Sequence, residues 1–343
     1  MTPSNNTSSK IVVTGGAGFI GSHTAVSLVA AGFEPIIVDN FSNSEHKILE
    51  GLEQILGRRL TCYEADCNDA DAMAQIFATE QPSGIIHFAA SKAVGESVAK
   101  PLLYYRNNLN SLMVLLELMP QYNIRNLVFS SSCTVYGQPE QLPVTEATPR
   151  LPASSPYGNT KAMGEDIIRD CVTAKMPIKA ISLRYFNPIG AHPTALIGEL
   201  PRGVPANLVP YLLQVAVGKR ASLTIHGNDY NTPDGTAIRD YIHVMDLAEA
   251  HVSALQLLGR KNADSFYDVF NIGTGTGASV LELINTFEQV TGINLSYTLG
   301  LRRPGDIEQI YADVTKATEG LNWKTQRSLA DALGDAWRWQ QTL

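Results

Sequence analysis

This chain is short of charge, of cysteine and of long apolar runs, and each shortage excludes something. Only 17% of its 343 residues are charged, below the ~25% usual in soluble domains. The 26 Lys+Arg are outnumbered by 33 Asp+Glu, for a net charge of −7. An acidic chain lacks the dense basic patches that recruit nucleic acid or anionic membrane, although two or three arginines can still hold an anionic small ligand. No stretch nears the ~18 uninterrupted apolar residues of a membrane-spanning helix. The polar start Met1–Lys10 has no apolar core, so no signal peptide is expected. The four cysteines, Cys62, Cys67, Cys133 and Cys171, form no Cys-x-x-Cys pair, which argues against a zinc knuckle or a disulfide framework. The seven histidines show no metal-ligand spacing. A reduced, cytoplasmic, metal-free protein is the expectation. Hydrophobic residues are not scarce: at 44% they exclude disorder, and a chain of this length buries roughly three quarters of its unfolded surface.

The first half alternates short β-branched runs with longer amphipathic segments. Ile11–Thr14, Pro35–Asp39, Leu60–Glu64, Gly84–Phe88 and Asn126–Ser131 read as strands bounded by Gly, Asp, Asn or Ser, and Ile178–Tyr185 adds another after a helix beginning near Pro156. This βαβ rhythm predicts an α/β fold with a doubly wound parallel sheet covered on both faces. The rhythm breaks between Asn187 and Pro210, where five prolines in 24 residues suggest loops crossing between lobes. Beyond, Val209–Gly218, His243–Gly259 and Val280–Thr291 read as helices, with strands at Leu223–His226 and Val269–Ile272. The expected organisation is a flexible tail over 1–9, a Rossmann-type domain over 10–186 and a smaller mixed α/β lobe over 187–343, with chain crossings between them.

Two motifs carry chemistry. Gly15-Gly16-Ala17-Gly18-Phe19-Ile20-Gly21 follows the first strand. Glycines at 15, 18 and 21 permit a tight turn and let backbone N–H groups approach a pyrophosphate at a helix N-terminus; the plain alternative is a turn of packing value only. Asp39 ends the next strand, where a carboxylate accepts from a ribose diol and repels a 2′-phosphate, favouring NAD over NADP; it also suits a turn. The second motif is Tyr157-Gly158-Asn159-Thr160-Lys161, whose Tyr and Lys share one helix face. With 13 tyrosines in the chain such a pair can arise by chance on an exposed surface. Its position distinguishes it: it follows the fifth strand and the run Ser130-Ser131-Ser132-Cys133-Thr134, at the strand end where cofactors bind. Ser155 is a candidate N-cap with Pro156 behind it. A phenol of pKa near ~10 is a poor base at neutral pH, but a neighbouring ammonium and a nicotinamide cation both favour phenolate. A serine hydroxyl completes a site that removes a hydroxyl proton beside a hydride acceptor.

These residues, Gly15-x-x-Gly18-x-x-Gly21 with Asp39, Ser132 and Tyr157-x-x-x-Lys161, resemble the extended short-chain dehydrogenase/reductase family, and within it the branch that epimerises UDP-hexoses at C4. Further matching stretches are His87–Ser97, Phe129–Gly137, Leu183–Pro193, Asn207–Gly218 and Arg239–Leu247, so the resemblance runs from Lys10 to about Trp339. It implies tightly bound NAD, UDP-glucose and UDP-galactose as substrates, and a homodimer. By the same resemblance Phe19 and Ile20 contact the pyrophosphate, and Asp39, Asn40 and Asn43 the adenosine ribose. Asp66 and Cys67 flank the adenine, Phe88, Lys92 and Asn107 line the cofactor groove, and Tyr157, Lys161 and Phe186 hold the nicotinamide side. Ser132, Tyr157, Asn187, Asn207, Leu208, Arg239, Arg303 and Asp306 bind the UDP-sugar. Read without the resemblance, Asn187 and Asn207 are turn residues, Phe88 and Phe186 core aromatics, Arg303 a solvated charge and Arg239-Asp240 part of an inter-lobe salt bridge. His87 reads as a buried, satisfied strand histidine.

Two rivals share the scaffold. Nucleotide-sugar 4,6-dehydratases carry an Asp-Glu pair just after the serine loop, where this chain has Cys133 and Thr134; neither can serve as that acid. A non-catalytic NAD-sensing protein has no use for Ser132, Tyr157 and Lys161 together. The resemblance leaves acceptance of UDP-N-acetylhexosamines open, because Ile310 stands where relatives vary between a pocket-closing Tyr and smaller residues. Cys133, where relatives often carry Ala, is expected to be a small buried residue. Leu102, Leu109, Leu112, Leu115 and Leu116 form a stripe that suits core or interface, core being the safer reading.

Overall fold

The computed structural model describes residues 8–303 and 306–343; residues 1–7, most of the expected tail, lie outside the described residues. The N-terminal half contains β1 (Lys10–Thr14), α1 (Phe19–Ala30), β2 (Glu34–Asp39), α2 (Lys47–Leu56), β3 (Thr61–Glu64), α3 (Ala70–Glu80), β4 (Gly84–His87), α4 (Val94–Ala99), α5 (Pro101–Gln121), β5 (Asn126–Ser132), α6 (Pro156–Thr173) and β6 (Lys179–Tyr185). The remainder contains β7 (Asn187–Ile189), α7 (Leu208–Ala216), β8 (Leu223–His226), β9 (Ile238–Arg239), β10 (Tyr241–His243), α8 (Val244–Arg260), β11 (Phe266–Ile272), β12 (Ala278–Ser279), α9 (Val280–Thr291), β13 (Tyr297–Gly300), β14 (Gln309–Ile310), α10 (Thr315–Leu321) and α11 (Leu329–Gln340).

A seven-stranded sheet runs in the order β11-β6-β5-β4-β1-β2-β3 with every pair parallel. Its strands read as unbroken apolar runs because both faces are covered. Alternate residues serve opposite layers. Ile11, Val13, Ile86, Val128 and Ile181 pack with Leu247 and Leu255 of α8, while Val12, Ile85, Leu127 and Phe129 pack with Leu112, Leu115 and Met119 of α5 and Ile168 of α6. Leu112, Leu115 and Leu116 are therefore core, as the safer reading held, but Leu102 of the same stripe is 75% exposed. A separate cluster joins α7, β8, α9 and α11 through Leu212, Ile225, Phe287 and Leu333.

One strand corrects the expected layout. Val269–Ile272 read as part of the smaller lobe, yet β11 completes the main sheet, pairing Phe266–Ile272 with Lys179–Tyr185. Periodicity gives the strand but not its neighbour, which is decided by α8 packing against α1 and carrying the chain back. The proline-rich stretch is mostly irregular, as expected, except for β7, which pairs with β10. The order reverses between β1 and β4, whose connections leave toward opposite sides. In an open parallel sheet the crevice outside such strand ends is where ligands bind.

Candidate active site

The glycine turn lies at that crevice. Gly15 has φ +68°, and a Cβ there would sit 2.9 Å from the Ala89 backbone nitrogen, so only glycine lets the turn lie against the chain leaving β4. At Gly21 a Cβ would meet the Gly15 carbonyl oxygen at 2.3 Å. Gly18 precedes α1 with no side-chain cap and no acidic residue in the first turn, so the amides around Phe19 and Ile20 are left for an anion. Asp39 accepts from the Ala17 amide at 3.0 Å, the Phe41 amide at 2.9 Å and the Ser44 hydroxyl at 2.7 Å. It does serve the turn, and with roughly four acceptor sites on a carboxylate it keeps capacity for a ribose hydroxyl. These features fit a dinucleotide.

The remaining cofactor candidates lie on the segments that follow β2, β3 and β4 and on α5. Asn40 donates to Asp66 at 3.2 Å, Asn43 lies on the exposed loop after β2, and Cys67 is buried. Asn107 on α5 bonds Asn68 and Ser91, and Phe88 packs 4.6 Å from the His251 ring. Lys92 pairs with Glu199 at 3.3 Å, and the same Glu199 oxygen accepts from Asn207 at 3.1 Å. His87 is buried and bonded to the Thr14 hydroxyl at 2.7 Å, as a satisfied strand histidine should be.

Ser132, Tyr157 and Lys161 are brought together by β5 and α6. Ser155 caps α6, accepting from the Gly158 amide at 3.2 Å, with Pro156 behind it. The cap fixes the helix start, so Tyr157 and Lys161 point to the sheet end one turn apart. Ser132 ends β5 and accepts from the Thr134 amide at 3.2 Å. The Lys161 ammonium donates to the Ser130 carbonyl at 2.6 Å and lies 5.9 Å from the Tyr157 ring centre. Burial lowers the Lys161 amine to about 7. Burial pushes the half-buried Tyr157 phenol above its ordinary value, the Tyr185 and Cys133 groups add to this, and the Ser132 hydroxyl opposes it. The surroundings of Tyr157 therefore favour its protonated phenol, and a positive charge bound nearby would act in the opposite direction.

The charged candidates form a second cluster. Arg239 pairs with Asp306 at 2.6 Å, and Arg303 reaches the same carboxylate at 3.4 Å. The expected salt bridge at Arg239-Asp240 thus runs from Arg239 to Asp306. Asp240 is buried and accepts instead from the amides of Thr274, Gly275 and Ala312, fixing the approach to Arg239. Asn187 opens β7 with its amide on the Asp240 carbonyl at 2.9 Å, and Asn207 and Leu208 open α7. Phe186, Cys133 and Ile310 are buried in one apolar cluster. The sequence reading missed Tyr230, whose ring stacks 4.1 Å from Arg302 and whose buried hydroxyl has no hydrogen-bond partner among the described residues. Its charged neighbours include Asp306, Arg239 and Arg303, and nothing in the local sequence signals it. A cavity of about 520 Å³ lies away from all of this, at the amino ends of the central strands among Ile11, Phe33, Asn126 and Arg260, and brings together none of the candidate residues.

Sheet order, glycine turn and the Ser-Tyr-Lys set define an extended short-chain dehydrogenase/reductase. The family model described as GDP-mannose 4,6 dehydratase matches residues 12–335. A UDP-glucose 4-epimerase of Bacillus subtilis is 52% identical over 333 residues, 97% of each chain. Among solved structures, a UDP-glucose 4-epimerase of Bifidobacterium longum in complex with NAD+ and UDP has a TM-score of 0.93 at 46% identity, covering 97% of this chain and 98% of that one. Another, from Stenotrophomonas maltophila with bound NAD and formylated UDP-arabinopyranose, has a TM-score of 0.94 at 42% identity, covering 97% and 98%. This chain belongs to the UDP-glucose 4-epimerase family.

Proposed function

We propose that this chain interconverts UDP-glucose and UDP-galactose by reversible inversion at C4, through a 4-keto sugar, as a step of galactose metabolism. The observation that carries this reading is the set Ser132, Tyr157 and Lys161 at the strand ends, with the Arg239–Asp306 pair near enough for Arg239 to act on the Cys133 thiol beside Ser132. The glycine turn and Asp39 would hold NAD tightly, with Asn40, Asn43, Asp66, Cys67, Phe88, Lys92, Asn107 and Phe186 around it. When bound, NAD supplies the acceptor, and later the donor, of the C4 hydride. Tyr157 takes the C4 hydroxyl proton as phenolate and returns it, while Ser132 holds the reacting oxygen and Lys161 favours the anion. Arg239 and Arg303 pair with the UDP diphosphate, helped by Asn187, Asn207 and Leu208, while the hexose turns to present its other face.

The same reading assigns residues 10–186 to the cofactor and 187–343 to the UDP-sugar, with α8 and β11 crossing back to the sheet. Localisation in the cytoplasm suits the free cysteines among the described residues. A homodimer through α5 and α6 suits the exposed Leu102, Met113 and Met163. Acceptance of UDP-N-acetylhexosamines depends on the space beside Ile310.

The test is incubation of the purified protein with UDP-galactose and no added NAD, followed by NMR. An equilibrium mixture with UDP-glucose supports both epimerisation and retained cofactor. A stable keto product lacking water moves the assignment to the dehydratases. No turnover, even with NAD added, retires the reading.

A further inference from the structure

We propose that the buried ion pair of Glu165 and Arg184 is a positioning element for the reaction, setting Ser132 against Tyr157 and Lys161; the proposal rests on the epimerase reading above. Glu165 follows Lys161 by one turn of α6 and is 1% exposed, and Arg184 on β6 is 5% exposed. Arg184 Nε donates to Glu165 Oε1 at 2.8 Å and Nη2 to Oε2 at 2.6 Å, a planar fork that fixes orientation as well as distance.

Both chain flanks of Ser132 are tied to this pair. On one side the Ser131 hydroxyl donates to Glu165 Oε1 at 2.6 Å. On the other, the turn Cys133–Tyr136 ends in Tyr136, whose hydroxyl accepts from Arg184 Nη1 at 3.0 Å and donates to Asn271 at 2.6 Å. Asn271 lies on β11, so the sheet's added strand also braces the turn. The helix that presents Tyr157 and Lys161 is thereby held to the strand that presents Ser132 at a spacing set by hydrogen bonds. Arg150 approaches the same carboxylate from the rim, Nη1 at 3.5 Å.

Stability alone does not explain such a pair, because taking two charges out of water is costly and apolar residues of similar volume often serve a core as well or better. What apolar side chains cannot supply is a directional tie from one carboxylate to Ser131 and, through Arg184, to Tyr136. None of these groups is among the residues assigned to substrate or cofactor, so they act through Ser132, Tyr157 and Lys161.

The double variant Glu165→Leu/Arg184→Met removes both charges together and leaves neither unpaired. It is expected to fold and retain NAD, with kcat on UDP-galactose lowered about a hundredfold, the cost of a small misplacement in a reacting site, and KM within about twofold. Ser131→Ala cuts one tie without creating a bare buried charge and is expected to lower kcat about tenfold, the equivalent of one hydrogen bond. Arg184→Lys, which keeps the charge and loses the fork, is expected to fall between. A merely structural role would reduce the yield of folded protein but leave kcat per NAD-loaded site and its pH profile unchanged. If the double variant does not fold, Ser131→Ala decides. Wild-type kcat and pH profile in folded, NAD-loaded variants would overturn the positioning role alone. A wild-type chain inactive in the same assay would bring down the epimerase reading and this proposal with it.

Discussion

Lys161 should cost the fold stability, and that cost can be measured by Lys161→Met. The side chain is 4% exposed and donates to the Ser130 carbonyl at 2.6 Å; no carboxylate pairs with it among the described residues, and desolvation brings its amine from the usual 10.5 to about 7. A cation whose folded pKa is depressed weakens the fold wherever the unfolded chain holds the proton more firmly. Between pH 7 and the unfolded value of ~10.4 the unfolded state binds more protons, so stability rises with pH. The linkage gives a penalty of about 4 kcal/mol at pH 7, shrinking to about 2 kcal/mol at pH 9. Methionine keeps the apolar stem and removes the charge, but leaves the Ser130 carbonyl unpaired, at about 1–3 kcal/mol. Urea unfolding of cofactor-free protein should therefore find the variant more stable than wild type by about 1–3 kcal/mol at pH 7 and about equal to it at pH 9. The same variant should lose turnover, the usual exchange of stability for function at a working site. A stability difference that is the same at both pH values would refute the reasoning, because other titrating groups are common to both proteins and cancel.

Tyr157→Phe should lower kcat by about 10²–10⁴, the contribution of a positioned proton-transfer group, while UDP binding by calorimetry stays within about twofold; retained turnover would remove Tyr157 as the base. Gly21→Ala places a Cβ 2.3 Å from the Gly15 carbonyl and 2.8 Å from Gly16 Cα, backbone that cannot step aside. The purified variant should release little or no NAD on denaturation, and full occupancy would contradict the assignment of the turn. Ile310→Gly should raise the rate on UDP-GlcNAc relative to UDP-galactose about tenfold, within the reach of a few methylenes in an apolar pocket; an unchanged ratio would show that Ile310 does not set the pocket's width.

The elements that read correctly from sequence are those whose signal is local. β1, β2 and β4 are short β-branched runs buried on both faces, α6 has a serine cap and a proline at its start, and the glycine turn needs only its own backbone. What could not be read is where distant pieces meet. The run Val269–Ile272 has strand chemistry, but only the packing of α8 on α1 delivers it to β6. Arg239, Asp306 and Arg303 are recognisable from family likeness, yet their convergence depends on β9 pairing with β14, two-residue strands with no periodicity to detect. Tyr230 gave no signal because an unpartnered hydroxyl is a property of its surroundings. Glu165 and Arg184 gave none either, since a charged residue on a helix reads as solvated until its partner on another strand is known. Leu102 and Leu112 look alike in the stripe; burial by α6 and the sheet separates them.

Inversion at C4 asks two opposed things of one cleft, a nucleotide held firmly and a hexose free to turn, and in the proposed reading the chain divides these between two kinds of surface. Arg239 and Arg303 converge on Asp306, so charge is already concentrated where a diphosphate would bind, and Asp240 braces Arg239 through three backbone amides. In that reading the wall beside Ser132 would be the apolar cluster of Cys133, Phe186 and Ile310. Their side chains offer an incoming sugar little beyond a weak thiol, so they shape its space without fixing one rotamer of the ring. Directional contacts at that end are then limited to Ser132 and Tyr157 on the reacting oxygen, which either face of C4 can present in turn. Adding one strong donor to the apolar wall should tighten binding of one epimer at the expense of turnover, since only interactions stronger in the transition state than in the bound sugar raise the rate.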